Sequence, residues 1–242
     1  MSAGSVFQEA LRILIRQALP EVAQGDVLAA LNAGRPGPLE FLYEAGAEAS
    51  LPPEKIISRS AAIFFNFCAG NLSDDLSDSE CTYLDDPYRI GPCTQLILQN
   101  LFFHALVYAA LPTQTISLVV EELIAAVGPQ HIELRTTQWS APVYREVAEG
   151  IAGHQWSAYL TILWSETALD TYAATVGMKA GIAAHVAKDI QTRDARYTTL
   201  TESEKLEIVG WAIAATQMLR AQHLVCVDAL LRTIDPILRR AS

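Results

Sequence analysis

The residues best suited to chemistry are Asp74, Asp75 and Asp78, in the run Asp74-Asp75-Leu76-Ser77-Asp78 that comes at once after the apolar stretch 61–70. On a helix, Asp74 and Asp78 share a face one turn apart, with Asp75 beside them and the apolar run beneath. Like charges at that spacing repel, and the end of a helix already carries negative partial charge. Each added carboxylate therefore costs a few tenths of a kcal/mol to about 1 kcal/mol. Carboxylate oxygens placed this way suit a hard divalent cation such as Mg²⁺, which can bridge to the phosphates of a substrate. The same five residues also describe a solvated acidic helix end running into a loop, and by themselves they do not choose between the two.

The rest of the chain narrows the choice. It has 242 residues, 51% hydrophobic and 18% charged, enough to bury a substantial core and too apolar for disorder. A formal net charge of −10 excludes a sequence-independent nucleic-acid binder, which needs a basic surface to displace counterions. A phosphorylated small molecule is compatible with that charge if metal ions supply the positive counterpart. Cys68, Cys81, Cys93 and Cys226 show neither CxxC spacing nor a disulfide framework, which fits a reduced, cytoplasmic setting. The first residues carry no basic segment followed by an apolar core, so no signal peptide is expected. The apolar stretch 96–111 is interrupted by Gln99, Asn100 and His104 and is expected to be a buried helix, leaving no transmembrane segment.

Apolar residues recur at helical spacing almost throughout, and alternating strand patterns are absent, so the expected class is all-α. Helices, whole or broken, are expected over 6–19, 38–49, 53–78, 94–110, 115–127, 141–164, 168–177, 179–192 and 202–240. Start signals are Ser50 ahead of Pro52-Pro53-Glu54, Thr113, and Thr199-Leu200-Thr201-Glu202; Leu111-Pro112 and Gly128-Pro129 are expected stops. The longest ordered loop is expected over 79–92. With no repeat or linker, one domain is expected: a helical bundle with a central apolar cavity, where ligand sites sit between facing helices.

The order of these signals resembles the trans-isoprenyl diphosphate synthases, of the class I isoprenoid synthase fold, from about residue 34 to 227. The cluster Asp74 to Asp78 is followed by Arg89-Ile90-Gly91-Pro92-Cys93-Thr94, similar to the family's arginine-containing loop with one arginine kept. Gly153-His154-Gln155, then Tyr172 seven residues before Lys179, then Gly210 and Gln217, fall in the family's order. The family's second acidic cluster is replaced by Arg220-Ala221-Gln222-His223-Leu224, which has no carboxylate. Its N-terminal basic segment is represented at best by Gly34-Arg35-Pro36-Gly37-Pro38.

The resemblance implies that Asp74, Asp75 and Asp78 hold Mg²⁺ against the diphosphate of an allylic prenyl substrate. Arg89, Lys179 and Gln155 would bind that diphosphate, Arg89 as a bidentate clamp and Lys179 as a point charge. Phe64, Phe67, Ala69, Gly70, Phe103 and Gln217 would line the prenyl pocket, with Phe65 and Phe102 beside them. Ala69 and Gly70 stand where the family sets product length, so a deeper floor at Asn66 or Ile63 is expected. Each has a plainer reading: Arg89 solvated or paired with Asp85 or Asp86, the phenylalanines as core, Asp85-Asp86-Pro87 as a turn. His104, His154 and His223 belong to no metal-ligand spacing and are expected to be satisfied histidines. The implied function is a Mg²⁺-dependent prenyltransferase or terpenoid synthase, with a peptide or small-molecule acceptor or cyclisation in place of isopentenyl elongation. The alternative is a non-catalytic subunit that regulates an active partner. A homodimer, or a heterodimer with a related synthase, is the expected assembly.

Overall fold

The structure is a computed structural model that describes residues 11–12, 14–34 and 37–242. Among the described residues every regular element is a helix, as the sequence periodicity predicts. The expected helix 6–19 is helical where described, over 11–12 and 14–18; residues 6–10, like Arg35 and Pro36, lie outside the described set. The chain divides into two compact units, one ending at Leu111 and the other beginning at Pro112.

The first unit contains α1 (Glu21–Ala33), α2 (Gly37–Glu48), α3 (Pro53–Ser77) and α4 (Pro87–Tyr108). Helix α3 starts on Pro53, whose fixed φ and missing N–H suit a first helical position. Pro52 occupies the N-cap in place of a side-chain cap, so Ser50 does not serve as one. The buried face of α3 carries Ile56, Ala62, Ile63, Phe64, Phe65, Cys68, Ala69 and Leu72, and its main partner is α4. Helix α4 begins seven residues earlier than predicted, because Pro87 is pre-set for the first turn. Pro92, which the sequence suggests as a loop residue, sits inside the helix and removes one ladder hydrogen bond. Arg89-Ile90-Gly91-Pro92 is therefore helical and not a loop. Gly91 makes the packing possible: a Cβ there would stand 2.8 Å from the Leu76 methyls of α3.

Helix α4 is also not buried all round. Leu98, Leu101, Phe102, Ala105 and Leu106 are buried, whereas Leu96, Phe103, Val107 and Tyr108 are exposed. By length and composition it is the one helix among the described residues able to cross a membrane.

The second unit runs α5 (Thr113–Ala125), α6 (Val127–Arg135), α7 (Ala141–Ala148), a π-turn (Glu149–Gly153), α8 (His154–Trp164), a 3₁₀ turn (Asp170–Tyr172), α9 (Ala173–Thr192), α10 (Ala195–Thr198), α11 (Glu202–Arg220) and α12 (Val225–Ala241). The expected stop at Gly128-Pro129 is instead the first turn of α6, where a missing N–H costs no helical bond. The expected helix 168–177 starts only at Ala173, after turns over 168–169 and the 3₁₀ turn, and it runs on into 179–192 as the single helix α9, because Gly177 serves packing and does not break the helix. The start at Thr201 is a full capping box: its hydroxyl accepts from the Glu204 N–H while Glu204 Oε2 accepts from the Thr201 N–H at 3.0 Å. Thr113 is the first residue of α5 and caps nothing.

The centre of this unit is the crossing of α9 over the π-turn and α8. A Cβ on Gly177 would lie 2.4 Å from the Trp156 carbonyl oxygen and 2.6 Å from Ser157 Cα; one on Gly181 would lie 2.2 Å from the Ala152 carbonyl oxygen. Both obstacles are backbone, so neither can swing aside. At one end of the same bundle a buried polar hub ties four elements together. Tyr144 donates to Asp189 Oδ2 at 2.8 Å, His185 stands 3.4 Å from that oxygen, and Arg196 stands 3.7 Å from Oδ1 while also engaging Glu133 and Asp194. Burial pushes the Asp189 carboxyl up to about 6, opposed by the hydrogen bond from Tyr144 and the charge of Lys188.

This packing makes opposite demands on two glycines. Gly181→Ala should destabilise by about 1–3 kcal/mol through overpacking. Gly210→Ala, where a Cβ meets nothing within 4 Å, should stabilise by about 0.5–1 kcal/mol through helix propensity; urea midpoints of the two variants check both. The folded-state pKa of Asp189 lies above its unfolded value of 3.8, so the folded protein holds the proton more tightly. Its contribution is most favourable below about pH 4, declines as pH rises through about 6, and is lower above that by roughly 3 kcal/mol. Asp189→Asn should flatten the stability profile across that window, measured by denaturant unfolding at each pH.

Candidate functional site

In the first unit the acidic run occupies the last turn of α3. Asp74 and Asp75 are half-buried and Asp78, the C-cap, is exposed. The helix ends because Ser79 adopts φ 60°, the left-handed conformation that reverses the chain. Asp75 organises the turn beyond the helix: its carbonyl accepts from the N–H groups of Glu80 and Cys81 at 2.8 and 3.1 Å, and its carboxylate Oδ2 accepts from the Tyr83 hydroxyl at 2.8 Å. Burial and the neighbouring Asp75 push the Tyr83 hydroxyl pKa up, so it remains a donor. Sequence reasoning missed Tyr83, which lies in the predicted loop with no motif to mark it.

Arg89 is exposed in the first turn of α4, and its N–H bonds back to the Asp86 carbonyl at 3.1 Å. Among the described residues its guanidinium forms no ion pair, with Asp85 and Asp86 included. Phe64 and Ala69 are buried and Phe67 is half-buried, with Phe64 and Phe67 stacked at 6.4 Å between centroids. Gly70 is exposed on α3, and Phe103 is 49% exposed on α4 with its ring 5.0 Å from that of Phe102. A groove of about 260 Å³ is lined by Ala18, Leu19, Ile97, Asn100, Leu101 and His104, and contains none of the predicted residues.

Among the described residues no three His, Cys, Asp or Glu side chains gather closely enough to cage a metal. Mg²⁺ does not require such a cage: it keeps several waters and is usually held by one or two carboxylates plus substrate phosphates. The hard oxygen donors of Asp74, Asp75 and Asp78 fit that chemistry, and the Tyr83 hydrogen bond fixes one of them as metal-binding carboxylates usually are.

In the second unit Gln155 and Lys179 are brought to one crossing of α8 and α9, and Gln217 lies on α11. Tyr144 and Asp189 are hydrogen-bonded, and Ala141 donates its N–H to Glu204 Oε1 at 3.1 Å, so α7, α9 and α11 have a common base. At 1.5 Å per residue along single α-helices, Lys179 lies about 15 Å from Asp189 and Gln217 about 20 Å from Glu204, while Gln155 follows Tyr144 beyond the π-turn. Close packing sets the crossing of α8 and α9: a Cβ on Gly153 would stand 2.3 Å from Met178 Sδ, next to Lys179. Gln155 and Lys179 are half-buried, Gln217 is exposed, and Tyr172 is exposed in the 3₁₀ turn before α9. Lys179 has no carboxylate partner among the described residues. The segment 150–155 passes from a π-turn into α8, a distortion often found at functional positions.

Two pairings are not legible in the sequence. His154 Nδ1 stands 2.6 Å from Glu122 Oε2 of α5, which gives this histidine a partner, as expected, at a separation no local pattern reveals. Arg220, where the second acidic cluster is absent, ends α11 and pairs with Asp235 of α12.

Solved structures similar to this chain include the following. A geranyltranstransferase from Thermotoga maritima matches at TM-score 0.71 and 13% identity, over 98% of this chain and 97% of that one. A geranyltransferase from Legionella pneumophila matches at 0.69 and 16%, over 99% and 93%. A geranylgeranyl pyrophosphate synthetase from Pyrococcus horikoshii Ot3 matches at 0.56 and 18%, over 98% and 88%. No protein-family model matches the chain, and no curated protein does. The chain thus has the all-α fold of the trans-isoprenyl diphosphate synthases.

Proposed function

We propose that the chain is a Mg²⁺-dependent prenyltransferase or terpenoid synthase that ionises an allylic prenyl diphosphate and transfers or rearranges the prenyl cation. The observation that carries this reading is a set of charges with no structural employment. In a chain of net charge −10, Arg89 and the half-buried Lys179 have no ion-pair partner among the described residues, and Asp78 is likewise unpaired. Water satisfies the exposed Arg89 and Asp78, so the half-buried Lys179 weighs most; a diphosphate would use the two cations and its metal the carboxylate.

In the proposed reaction the carbon–oxygen bond of the substrate breaks, and its electron pair leaves with the diphosphate. When bound, Mg²⁺ supplies Lewis-acid stabilisation of that growing negative charge. Asp74, Asp75 and Asp78 are the residues assigned to hold it, with Asp75 oriented by Tyr83. Arg89 offers a planar fork to two phosphate oxygens, Lys179 a point charge and Gln155 an amide donor to the same group. Phe64 and Phe67 give the cation aromatic surface, which attracts positive charge and excludes water. Ala69 and Gly70 leave room for the chain, with Phe103 and Gln217 assigned to the same wall.

The reading is tested by incubating the protein with geranyl, farnesyl or geranylgeranyl diphosphate and Mg²⁺, with and without isopentenyl diphosphate, and measuring released diphosphate. Release that requires Mg²⁺, is lost in Asp74→Ala/Asp78→Ala, and falls about 10²-fold in Lys179→Ala is the expected outcome. No release from any substrate would favour the regulatory-subunit reading. The pairing of Arg220 with Asp235, where the second acidic cluster is missing, is the observation on that side. Gly70→Phe should shorten the longest prenyl chain accepted or formed; an unchanged product spectrum would remove Gly70 from the pocket wall.

A further inference from the structure

In a protein of net charge −10, residues 90–120 contain no Lys, Arg, Asp or Glu, and nearly all of α4 lies in that stretch. One face of α4, with Leu98, Phe102 and Ala105, is buried, and α3 is its main partner. The other face is apolar and uncovered. Leu96, Phe103 and Val107 are 56%, 49% and 73% exposed, and Asn100 between them is exposed as well. These four fall at i, i+4, i+7 and i+11, which on an α-helix is one stripe about 60° wide. Scattered exposed apolar residues need no explanation, but a continuous stripe marks a surface made for contact.

The composition of the stripe selects its occupant. A helix that lies on a membrane carries Lys and Arg along its polar edge to meet lipid headgroups, and a partner recognised by charge needs a charged rim; α4 has neither from Ile90 to Tyr108. A second copy of the chain fits, because a two-fold interface asks only that the surface complement itself. Two chains of like charge can meet here without placing like charges in contact. Charge also sets their relative direction. The start of α4 is acidic, since Asp85 and Asp86 precede it and Gly91 packs on Leu76 within the run 74–78. Antiparallel pairing of the two 22-residue helices holds these acidic starts roughly 33 Å apart, whereas parallel pairing would bring them together.

We propose that the exposed stripe of α4 is the seam of an antiparallel, two-fold homodimer of this chain, whichever reaction the chain performs. With the axis between Leu101 and Phe102, Leu96 of each copy meets Val107 of the other. The two Phe103 rings then lie side by side, and the two Asn100 amides bond to each other, which satisfies the one polar group the seam buries. The groove of about 260 Å³ beside the stripe, with Ala18 and Leu19 on its far wall, extends the surface past the edge of α4. Because the seam is apolar and the chains repel, added salt tightens the dimer.

Sedimentation velocity of the full chain over a range of concentrations and NaCl should show the mass of two chains, with dissociation falling as salt rises. Val107→Arg sets an unpaired charge in the seam twice and should weaken the dimer by about 10²-fold or more. Val22→Arg, at an exposed apolar position of α1 away from the stripe, should leave it unchanged. Both sites are exposed, and the far-UV helical signal confirms that each variant is folded. Register is read by crosslinking in a Cys93→Ser background, which removes the exposed native thiol. Leu96→Cys with Val107→Cys should form a two-chain disulfide on oxidation, whereas Leu96→Cys alone should not. The two positions lie about 16 Å apart on one helix, too far for a bond within a chain. A wild-type chain that stays monomeric at every concentration and salt, or a dimer that survives Val107→Arg, would overturn the proposal. So would a dimer that Leu96→Cys alone crosslinks and the pair does not. A monomer that binds phosphatidylcholine vesicles, and loses that binding in Val107→Arg, would overturn it in favour of a membrane.

Discussion

Where α9 crosses the helix formed by the π-turn and α8, glycine lets one backbone touch another. Gly177 and Gly181 lie one turn apart on α9 and meet the backbone of residues 152–157 where no Cβ would fit. Gly150 and Gly153 open the other side, toward Pro129 and Met178. Backbone contact leaves little freedom of register, since a slip of either helix brings a Cβ into a carbonyl. Gln155 on one helix and Lys179 on the other inherit that register. In the first unit glycines make room for side chains instead, Gly91 for Leu76 where α4 packs on α3 and Gly46 for Ile56.

The polar hub around Asp189 performs a different task at the far end of the same bundle. A carboxylate with no exposure is tolerated because Tyr144 donates to it, with Arg196 and His185 nearby. Arg196 is shared among Glu133, Asp189 and Asp194, so one guanidinium ties α6, α9 and the turn before α10 together. Breaking it strands several buried charges at once, whereas at the opposite level Lys179 is left unpaired.

Much of the element pattern is legible in the sequence because helix signals are local. The 3.6-residue periodicity reveals the class, Pro53 the start of α3, and Thr199-Leu200-Thr201-Glu202 the start of α11. Proline misleads where its context matters. Pro92 and Pro129 read as helix breakers in the sequence, yet each sits early in a helix, where a missing N–H removes at most one bond. Gly177 reads as a helix end because a helical glycine is usually a weakness; here its lack of a side chain is what the neighbouring backbone requires.

For the site the division is similar. The sequence by itself determined which groups are available: three aspartates in one turn, an arginine at position 89, a tyrosine and lysine at fixed spacing, and no carboxylate over residues 220–224. These come from residue identity and helical pitch, which are properties of short segments. Only the tertiary structure decided which of them have partners. Tyr83 on Asp75, Glu122 on His154 and Asp235 on Arg220 join residues from different elements, and whether a charge is satisfied depends on what packing brings beside it. A chain pattern reports which charges exist; only the folded chain shows which of them are paired.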